Sequence, residues 1–218
     1  PFMELFKAYD VKVIHKCTSV RHALKAQSVG VSAITIDGFE CAGHPGEDDI
    51  PSLVLLPQAA EALEVPVAGC GGFSDAKSLV AALALGGEAI VMGTRFMATK
   101  EAGIHQNVKD LMTEADERST NLMCRTMHNT ARVFKNSISD QVVEIESTGS
   151  ATFEDVKDLV AGQRGRVVFE EGDLEHGIWS AGISVARVKD VPTCKEMVSR
   201  LVSEAEEIID GRLQSVKA

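Results

Sequence analysis

Short apolar stretches alternate with amphipathic segments through the first part of the chain. The short stretches predict β-strands over residues 11–16, 31–36, 65–69 and 88–92. The segments between them predict helices over residues 19–28, 57–63 and 74–85. The strands are too apolar to face water on either side, which is typical of a parallel sheet with helices outside it. The pattern therefore predicts an α/β protein, and a doubly wound sheet and a (β/α)8 barrel both fit it.

The pattern changes after residue 100. Helices are predicted over residues 101–112, 119–134 and 154–161, with a glycine-containing segment at 162–165 after the last of them. Residues 193–213 predict a closing amphipathic helix. One face of that helix carries Met197, Leu201, Val202, Ala205 and Ile208. We expect this face to lie in the core.

Each predicted strand ends in a polar or glycine-rich turn. These turns contain Lys16, Asp37-Gly38, Cys70-Gly71-Gly72 and Gly93-Thr94. In a barrel, the carboxyl ends of the strands form the active face, and the loops after the last two strands commonly bind phosphate through backbone N–H groups. A Gly-Gly pair is more often only a turn, but glycines after two consecutive strands favour a phosphate cradle.

The loop over residues 36–46 is the best candidate for chemistry, because it carries a histidine between residues that shape the backbone. His44 follows Gly43 and precedes Pro45-Gly46. Glycine lets the backbone approach a ligand closely, and proline restricts the course of the chain. The acidic run Glu47-Asp48-Asp49 comes next. Nearby negative charge raises the pKa of a histidine, although such a run is more often solvated.

Composition and charge narrow the class of protein. With 218 residues, 44% of them hydrophobic and 25% charged, the chain has the composition of a globular protein. A net charge of -10 argues against a nucleic acid or an anionic membrane surface as a partner. The five cysteines include no C-x-x-C pair, so we predict neither a disulfide framework nor a metal site, and we expect a cytoplasmic location. No apolar run reaches the roughly 20 residues that cross a bilayer.

Several segments together resemble the nitronate monooxygenase (2-nitropropane dioxygenase) family. They are VIHKCT at 13–18, IDGFECAGHPGEDDI at 36–50, GGF at 71–73, LVAALALG at 79–86 and MGTRF at 92–96. Within the family the chain most resembles a bacterial subgroup of NADH:quinone reductases. The resemblance implies the C-terminal half of an FMN-binding TIM (β/α)8 barrel with an added helical region. It implies residues 1–100 as the second half of the barrel, 101–178 as the helical covering region, and 179–218 as an active-site segment with the closing helix.

The same resemblance implies that half of the barrel comes from elsewhere. A TIM barrel needs about 250 residues, and family members carry roughly a hundred further residues before this point. A half barrel leaves two strand edges unpaired, which favours pairing with another chain. We therefore expect one of two situations: self-association or a partner chain supplies the first four strands, or this sequence is a fragment of a longer one.

The resemblance also assigns cofactor residues. Lys16 matches a lysine beside the flavin, where its charge would stabilise the reduced ring near N1. Asp37 and the backbone near Ala42 match positions on the cofactor side. The phosphate cradle is matched by Gly71, Gly72, Gly93 and Thr94.

Catalysis and substrate binding are assigned to two further residues. His44 matches the active-site histidine, and a neutral imidazole, with an ordinary pKa of about 6.5, can remove the α-proton of a nitroalkane. Ser180 matches a serine on the substrate side of the flavin. If the donor is NADH and the acceptor a quinone, His44 would instead position the nicotinamide or protonate the quinone. Two other readings remain open, a barrel enoyl reductase and an inactive half barrel that needs a partner.

Overall fold

The first part of the chain folds into a four-stranded parallel sheet. The computed structural model describes residues 2–217. The strands, in spatial order, are β1 (Ile14–Cys17), β2 (Ala33–Asp37), β3 (Val67–Cys70) and β4 (Ala89–Val91). The helices of this part are α1 (Phe2–Ala8), α2 (Val20–Ser28), α3 (Ser52–Ala62), α4 (Ala76–Ala84) and the single turn α5 (Thr94–Met97). Consecutive strands are neighbours and all pairs are parallel.

One face of the sheet is covered by α2 and α3 and the other is open. Ile34 and Ile36 of β2 are fully buried against Leu55 and Leu56 of α3. On the opposite face, Ile14 is 67% exposed although it is a strand residue. A sheet of consecutive β-α units with helices on one side is the arrangement of half a (β/α)8 barrel. The predicted fold class is therefore confirmed.

The edges of the sheet carry no further strand among residues 2–217. β1 forms one edge and β4 the other, and Val91 of β4 is 41% exposed. Unpaired backbone groups on an edge strand are a template for pairing with another chain. In a closed barrel these two edges would be joined through further strands.

Helix α3 begins earlier than predicted. The sequence prediction started the helix at Pro57, but the helix runs from Ser52 with Pro57 inside it. The Glu40 carboxylate accepts a hydrogen bond from the Ser52 N–H at 2.9 Å, so the first turn has a partner for one of its free donors. A side chain twelve residues earlier in the same loop thus caps the first turn of α3.

The region after residue 100 differs from the prediction in several respects. Residues 119–134 were predicted to be helical, and this is wrong, because they form the antiparallel hairpin β5 (Thr120–Met123) and β6 (Ala131–Phe134). Cys124 and His128 in the connecting loop have φ values of +59° and +52°. A left-handed conformation at two non-glycine residues cannot be part of a continuous helix.

The helices of this region are α6 (Gln106–Glu114), α7 (Ser137–Glu146), α8 (Phe153–Val156) and α9 (Gly162–Glu171). α7 and α9 were missing from the prediction. Gly165 obscured the helical pattern of α9, but a Cβ there would lie 2.5 Å from the Ile178 carbonyl oxygen, so packing requires glycine. The division at residues 100 and 178 stays a prediction.

The closing helix is confirmed as α10 (Cys194–Glu207), which continues as a π-helix (Ile208–Leu213) and a short 3-10 turn (Gln214–Val216). Met197 and Ala205 are buried as predicted, whereas Val202 is 48% exposed, so only part of the predicted face is core. A 3-10 segment (Ile183–Arg187) precedes this helix. Within the part of the chain that the structure describes, no helix is both long and apolar enough to cross a membrane.

Candidate functional site

The carboxyl ends of the four strands surround a cavity of about 190 Å³. All of the predicted cofactor residues line it: Lys16, Asp37, Ala42, Gly71, Gly72, Gly93 and Thr94. They come from four separate loops, and the parallel sheet brings them together because its strands all end at the same edge. Their assignment to a cofactor stays a prediction, but their predicted proximity is observed.

An ion pair lies at one side of the cavity. Lys16 Nζ is 2.6 Å from Asp37 Oδ2. The Asp37 side chain is 1% exposed, whereas the Lys16 side chain is 53% exposed. Burial opposes the charge of Lys16, but the ion pair with Asp37 outweighs it and raises the pKa of Lys16 above its usual value. Asp37 is therefore a buried partner for a cation rather than an ordinary turn residue.

The second oxygen of this carboxylate has no partner. Asp37 Oδ1 is buried and accepts no hydrogen bond from any residue between 2 and 217. The thiols of Cys41 and Cys70 lie beside the Asp37 carboxylate, and their contacts with it contribute to the raised pKa of both thiols. A buried acceptor without a donor is costly, so its presence beside a cavity indicates a place for a donor group of a ligand.

Both neighbouring thiols are held in the protonated form. Burial, and then the Asp37 carboxylate, raise the pKa of Cys70 to about 12. The same two causes raise the pKa of Cys41 to about 11. A thiol rather than a thiolate stands at each position near neutral pH, and a thiol is a poor nucleophile. These cysteines shape the cavity wall and are not candidates for covalent catalysis.

The glycines of the cavity serve different purposes. Gly71 has a φ of +85°, and a Cβ on it would lie 2.8 Å from the Gly38 carbonyl oxygen, so the fold itself requires glycine there. Gly72 also has a positive φ, +86°. Gly93 has a negative φ, and a Cβ on it would meet no atom within 4 Å. Nothing in the described part of the chain requires glycine at 93, so the open space beside it suits the close approach of a ligand to the backbone.

A segment from the far end of the chain completes the rim. Thr94 Oγ1 accepts a hydrogen bond from the Gly182 N–H at 3.0 Å, and the Ile183 N–H donates to the Glu40 carbonyl oxygen at 3.0 Å. These bonds bring Ser184 into the cavity wall. Ser184 was missed from the sequence, because no local motif marks it. Ser180 is exposed and does not line the cavity, so its substrate role stays a prediction.

His44 is exposed and lies outside the cavity wall, and its role as a base stays a prediction. The loop around it is held by the β5–β6 hairpin. Glu47 accepts hydrogen bonds from the N–H and hydroxyl of Thr130, and Asp49 pairs with Arg125 at 2.6 Å. Both residues are exposed to solvent, and they also form these contacts with the hairpin. Their role is to fasten the histidine loop.

A second cavity, of about 350 Å³, lies beside α4 and α10. Its arginines already have partners: Arg95 and Arg200 share Asp190, and Arg187 pairs with Asp75. An anionic ligand would have to displace these carboxylates. We therefore read the second cavity as a structural network. Among residues 2–217 no cluster of side chains has the composition of a metal site.

The fold and the cavity at the carboxyl ends of the strands indicate the class of protein. The chain is half of a barrel with a glycine-lined cavity at its carboxyl face, and this face is the usual active face of (β/α)8 enzymes. Comparison with known proteins then gives the family. The model of the family described as nitronate monooxygenase matches residues 3–204, so the chain belongs to that family.

Two individual relatives show how far the similarity extends. The chain is 26% identical to a probable nitronate monooxygenase of Bacillus subtilis, over 88% of the chain and 57% of the relative. It is 27% identical to an octahydro-indene-carboxyl-CoA dehydrogenase of Rhodococcus jostii, over 94% of the chain and 67% of the relative.

Two solved structures share the fold of the chain. FabK from Thermotoga maritima has a TM-score of 0.90 at 27% identity, with 97% of this chain and 66% of FabK covered. Nitroalkane oxidase from Streptomyces ansochromogenes has a TM-score of 0.78 at 26% identity, with 96% and 62% covered. The chain thus spans about two thirds or less of the length of these two structures.

Proposed function

We propose that the chain is the C-terminal half of the barrel of an FMN-dependent oxidoreductase that oxidises nitronates or nitroalkanes with oxygen. Membership of the nitronate monooxygenase family supports this proposal. The observation that carries it is the cavity at the carboxyl edge of the sheet, where Lys16, the buried Asp37 and the open backbone at Gly93 meet.

The residues present fit FMN. The isoalloxazine ring has one N–H donor, and Asp37 Oδ1 is a buried acceptor that lacks one. The phosphate of FMN needs backbone donors that it can approach closely, and the loops of Gly71-Gly72 and Gly93-Thr94 suit that need. Lys16 would supply positive charge beside the ring. When bound, FMN would accept electrons from the substrate and pass them to oxygen.

The chain itself supplies the remaining chemistry. His44 would remove the α-proton of a neutral nitroalkane, for which a neutral imidazole is suited near pH 7. Its exposure gives the leaving proton a direct route to solvent. The ion pair with Asp37 raises the pKa of Lys16, so Lys16 is positively charged near neutral pH and would stabilise negative charge on the reduced ring.

One observation favours a second candidate, an NADH:quinone reductase. His44 does not line the cavity wall, and hydride transfer from NADH needs no base in the wall. A preformed nitronate is already deprotonated, so its oxidation needs no base either.

The rest of the barrel is part of the proposal. We infer that further barrel strands cover the open face of the sheet and the exposed edge residues Ile14 and Val91. The substrate is a small molecule. The five cysteines are free, which fits a reducing cytoplasm as the proposed location.

The deciding experiment uses the protein in the assembly that completes the barrel. The visible absorption spectrum reports bound flavin, and the bound FMN is identified after denaturation. Steady-state rates are then compared for propionate 3-nitronate with oxygen, a neutral nitroalkane with oxygen, and NADH with benzoquinone. Turnover of the nitro compounds supports the proposal, turnover of NADH and quinone alone supports the second candidate, and a colourless assembly without flavin refutes both.

A further inference from the structure

A buried arginine lies beneath the loop that carries His44. Arg132 belongs to β6 and is only 4% exposed. Among the described residues 2–217 no carboxylate forms an ion pair with it, unlike Arg95, which is equally buried and pairs with Asp190. A buried charge without such a partner is costly, so its other contacts must hold it there.

The side chain of Arg132 contacts only the loop that carries His44 and the neighbouring strand β5 among its hydrogen-bond and cation–π partners in residues 2–217. Arg132 Nη2 and Nε donate to the Phe39 carbonyl oxygen at 2.9 Å and 3.3 Å. Nη1 donates to Thr120 Oγ1 at 3.2 Å. The guanidinium carbon also lies 4.6 Å from the centre of the Phe39 ring, which is a cation–π contact. The side chain thus grips Phe39 through both its backbone and its ring.

The backbone of Arg132 also forms hydrogen bonds with the same loop. The Arg132 N–H donates to the Gly43 carbonyl oxygen at 2.6 Å, and the Gly43 N–H donates to the Arg132 carbonyl oxygen at 3.0 Å. Gly43 has a φ of +70° and is the residue before His44. One residue therefore fastens the loop at both ends of the segment 39–43, and that segment contributes Cys41 and Ala42 to the cavity wall.

We propose that Arg132 is a positioning residue that sets the place of His44 relative to the cavity. The proposal rests on the proposed role of His44 as a base. Phe39 is held before the cavity-lining segment and Gly43 after it, so the course of the chain into His44 follows from Arg132. A group misplaced by about 1 Å can lose a factor of the order of 10² in rate.

The test compares three variants of the assembled protein. Arg132→Met removes every side-chain donor, and Arg132→Lys keeps the charge but loses the paired donors to Phe39. Arg164→Met is the matched control, because Arg164 Nε likewise donates to a backbone carbonyl, that of His176, at 2.8 Å in a different loop. Rates are measured with a neutral nitroalkane and with preformed nitronate, alongside the dissociation constant of FMN.

We expect Arg132→Met to lower the rate with the neutral nitroalkane at least about tenfold more than the rate with nitronate, since only the former needs a placed base. Arg132→Lys should fall between wild type and Arg132→Met, and Arg164→Met should resemble wild type. Rates are compared at saturating FMN, because the segment that Arg132 fastens contributes Ala42 to the cavity wall and a weaker affinity for FMN must be separated from a misplaced His44. Equal losses with both substrates, or equal effects in the control, would overturn the proposal.

A second readout needs no activity. Amide hydrogen exchange at Gly43 and the imidazole signals of His44 are followed by NMR in each variant. Faster exchange and shifted His44 signals in Arg132→Met, but not in Arg164→Met, support positioning even if wild type oxidises no nitro compound. Unchanged signals in Arg132→Met refute positioning even if the proposed activity is present.

Discussion

The Lys16–Asp37 pair should respond unequally to loss of its two members. Lys16 is half exposed and Asp37 is 1% exposed, although the two charges are 2.6 Å apart. If Asp37 is replaced, Lys16 can turn to water. If Lys16 is replaced, the Asp37 carboxylate stays buried without a counter-ion, and its Oδ1 already lacks a donor.

The magnitudes follow from this asymmetry. Removing one partner of a buried pair costs about 3–5 kcal/mol, whereas exposed pairs contribute about 0–1 kcal/mol. Lys16→Met should therefore lower the free energy of unfolding by about 3 kcal/mol, reduced from the upper value because Lys16 is partly screened by solvent. Asp37→Asn should cost about 1 kcal/mol, and the double variant less than Lys16→Met alone.

The pH dependence gives an independent check. The pKa of Lys16 is raised in the folded state, so the pair's contribution is fully present below the unfolded pKa of lysine, about 10.4, and is lost as pH rises through the folded value. Wild type should lose this stability in that alkaline range, and Lys16→Met should not.

Urea unfolding of the three variants, at pH 7 and at increasing alkaline pH, measures these quantities. Asp37→Asn is the matched control for Lys16→Met, because it breaks the same contact without stranding a buried charge. An equal cost for the two single variants, or a larger cost for Asp37→Asn, would refute the argument from burial.

Three further predictions concern the cofactor, the base and the assembly. Gly93→Leu should weaken FMN binding in the assembled protein and leave the free energy of unfolding nearly unchanged, whereas Gly71→Ala should destabilise the fold because of its φ of +85° and its contact with the Gly38 carbonyl. Titration of the apoprotein with FMN measures the first effect, and urea unfolding measures the second. An unchanged FMN dissociation constant for Gly93→Leu would place the phosphate elsewhere. His44→Asn should lower the rate of flavin reduction by a neutral nitroalkane about 10²-fold to 10⁴-fold, and it should leave the rates of flavin reduction by nitronate and by NADH nearly unchanged. Stopped-flow reduction of the bound flavin measures these rates. An equal loss with all donors would mean that His44 holds the loop and is not the base. The 218-residue chain alone should not sediment as a compact monomer with stoichiometric FMN, because β1 and β4 leave both sheet edges unpaired; such a monomer would contradict the need for a second half barrel.

Local patterns predicted the sheet and most of the cavity wall. Apolar stretches bounded by polar or glycine-rich turns predict strands wherever packing against helices requires them, so β1 to β4 were found with small errors at their ends. Parallel strands end at one edge, and therefore Lys16, Asp37 and Gly93 were expected to meet. The resemblance to a known family supplied their expected roles, which periodicity cannot do.

Other features were decided by contacts between distant parts of the chain. The first turn of α3 is capped by the side chain of Glu40, twelve residues earlier, and the hairpin at residues 119–134 pairs through β6 with Gly43. A helical pattern was read there because intrinsic preferences are weak and tertiary pairing overrides them. Burial is likewise not local: the sequence shows an aspartate and an arginine, but only the fold shows that both are nearly inaccessible to water.

The division between the two kinds of information has a physical cause. Sequence determined what depends on neighbours along the chain: the order of strands and helices, the turns that need glycine, and the presence of a histidine in a constrained loop. Only the tertiary structure decided what depends on neighbours in space. It brought Ser184 into the cavity wall, left Asp37 Oδ1 without a donor, and set Arg132 under the loop of His44, because a charge or a hydrogen-bonding group acquires its energy from its surroundings after folding.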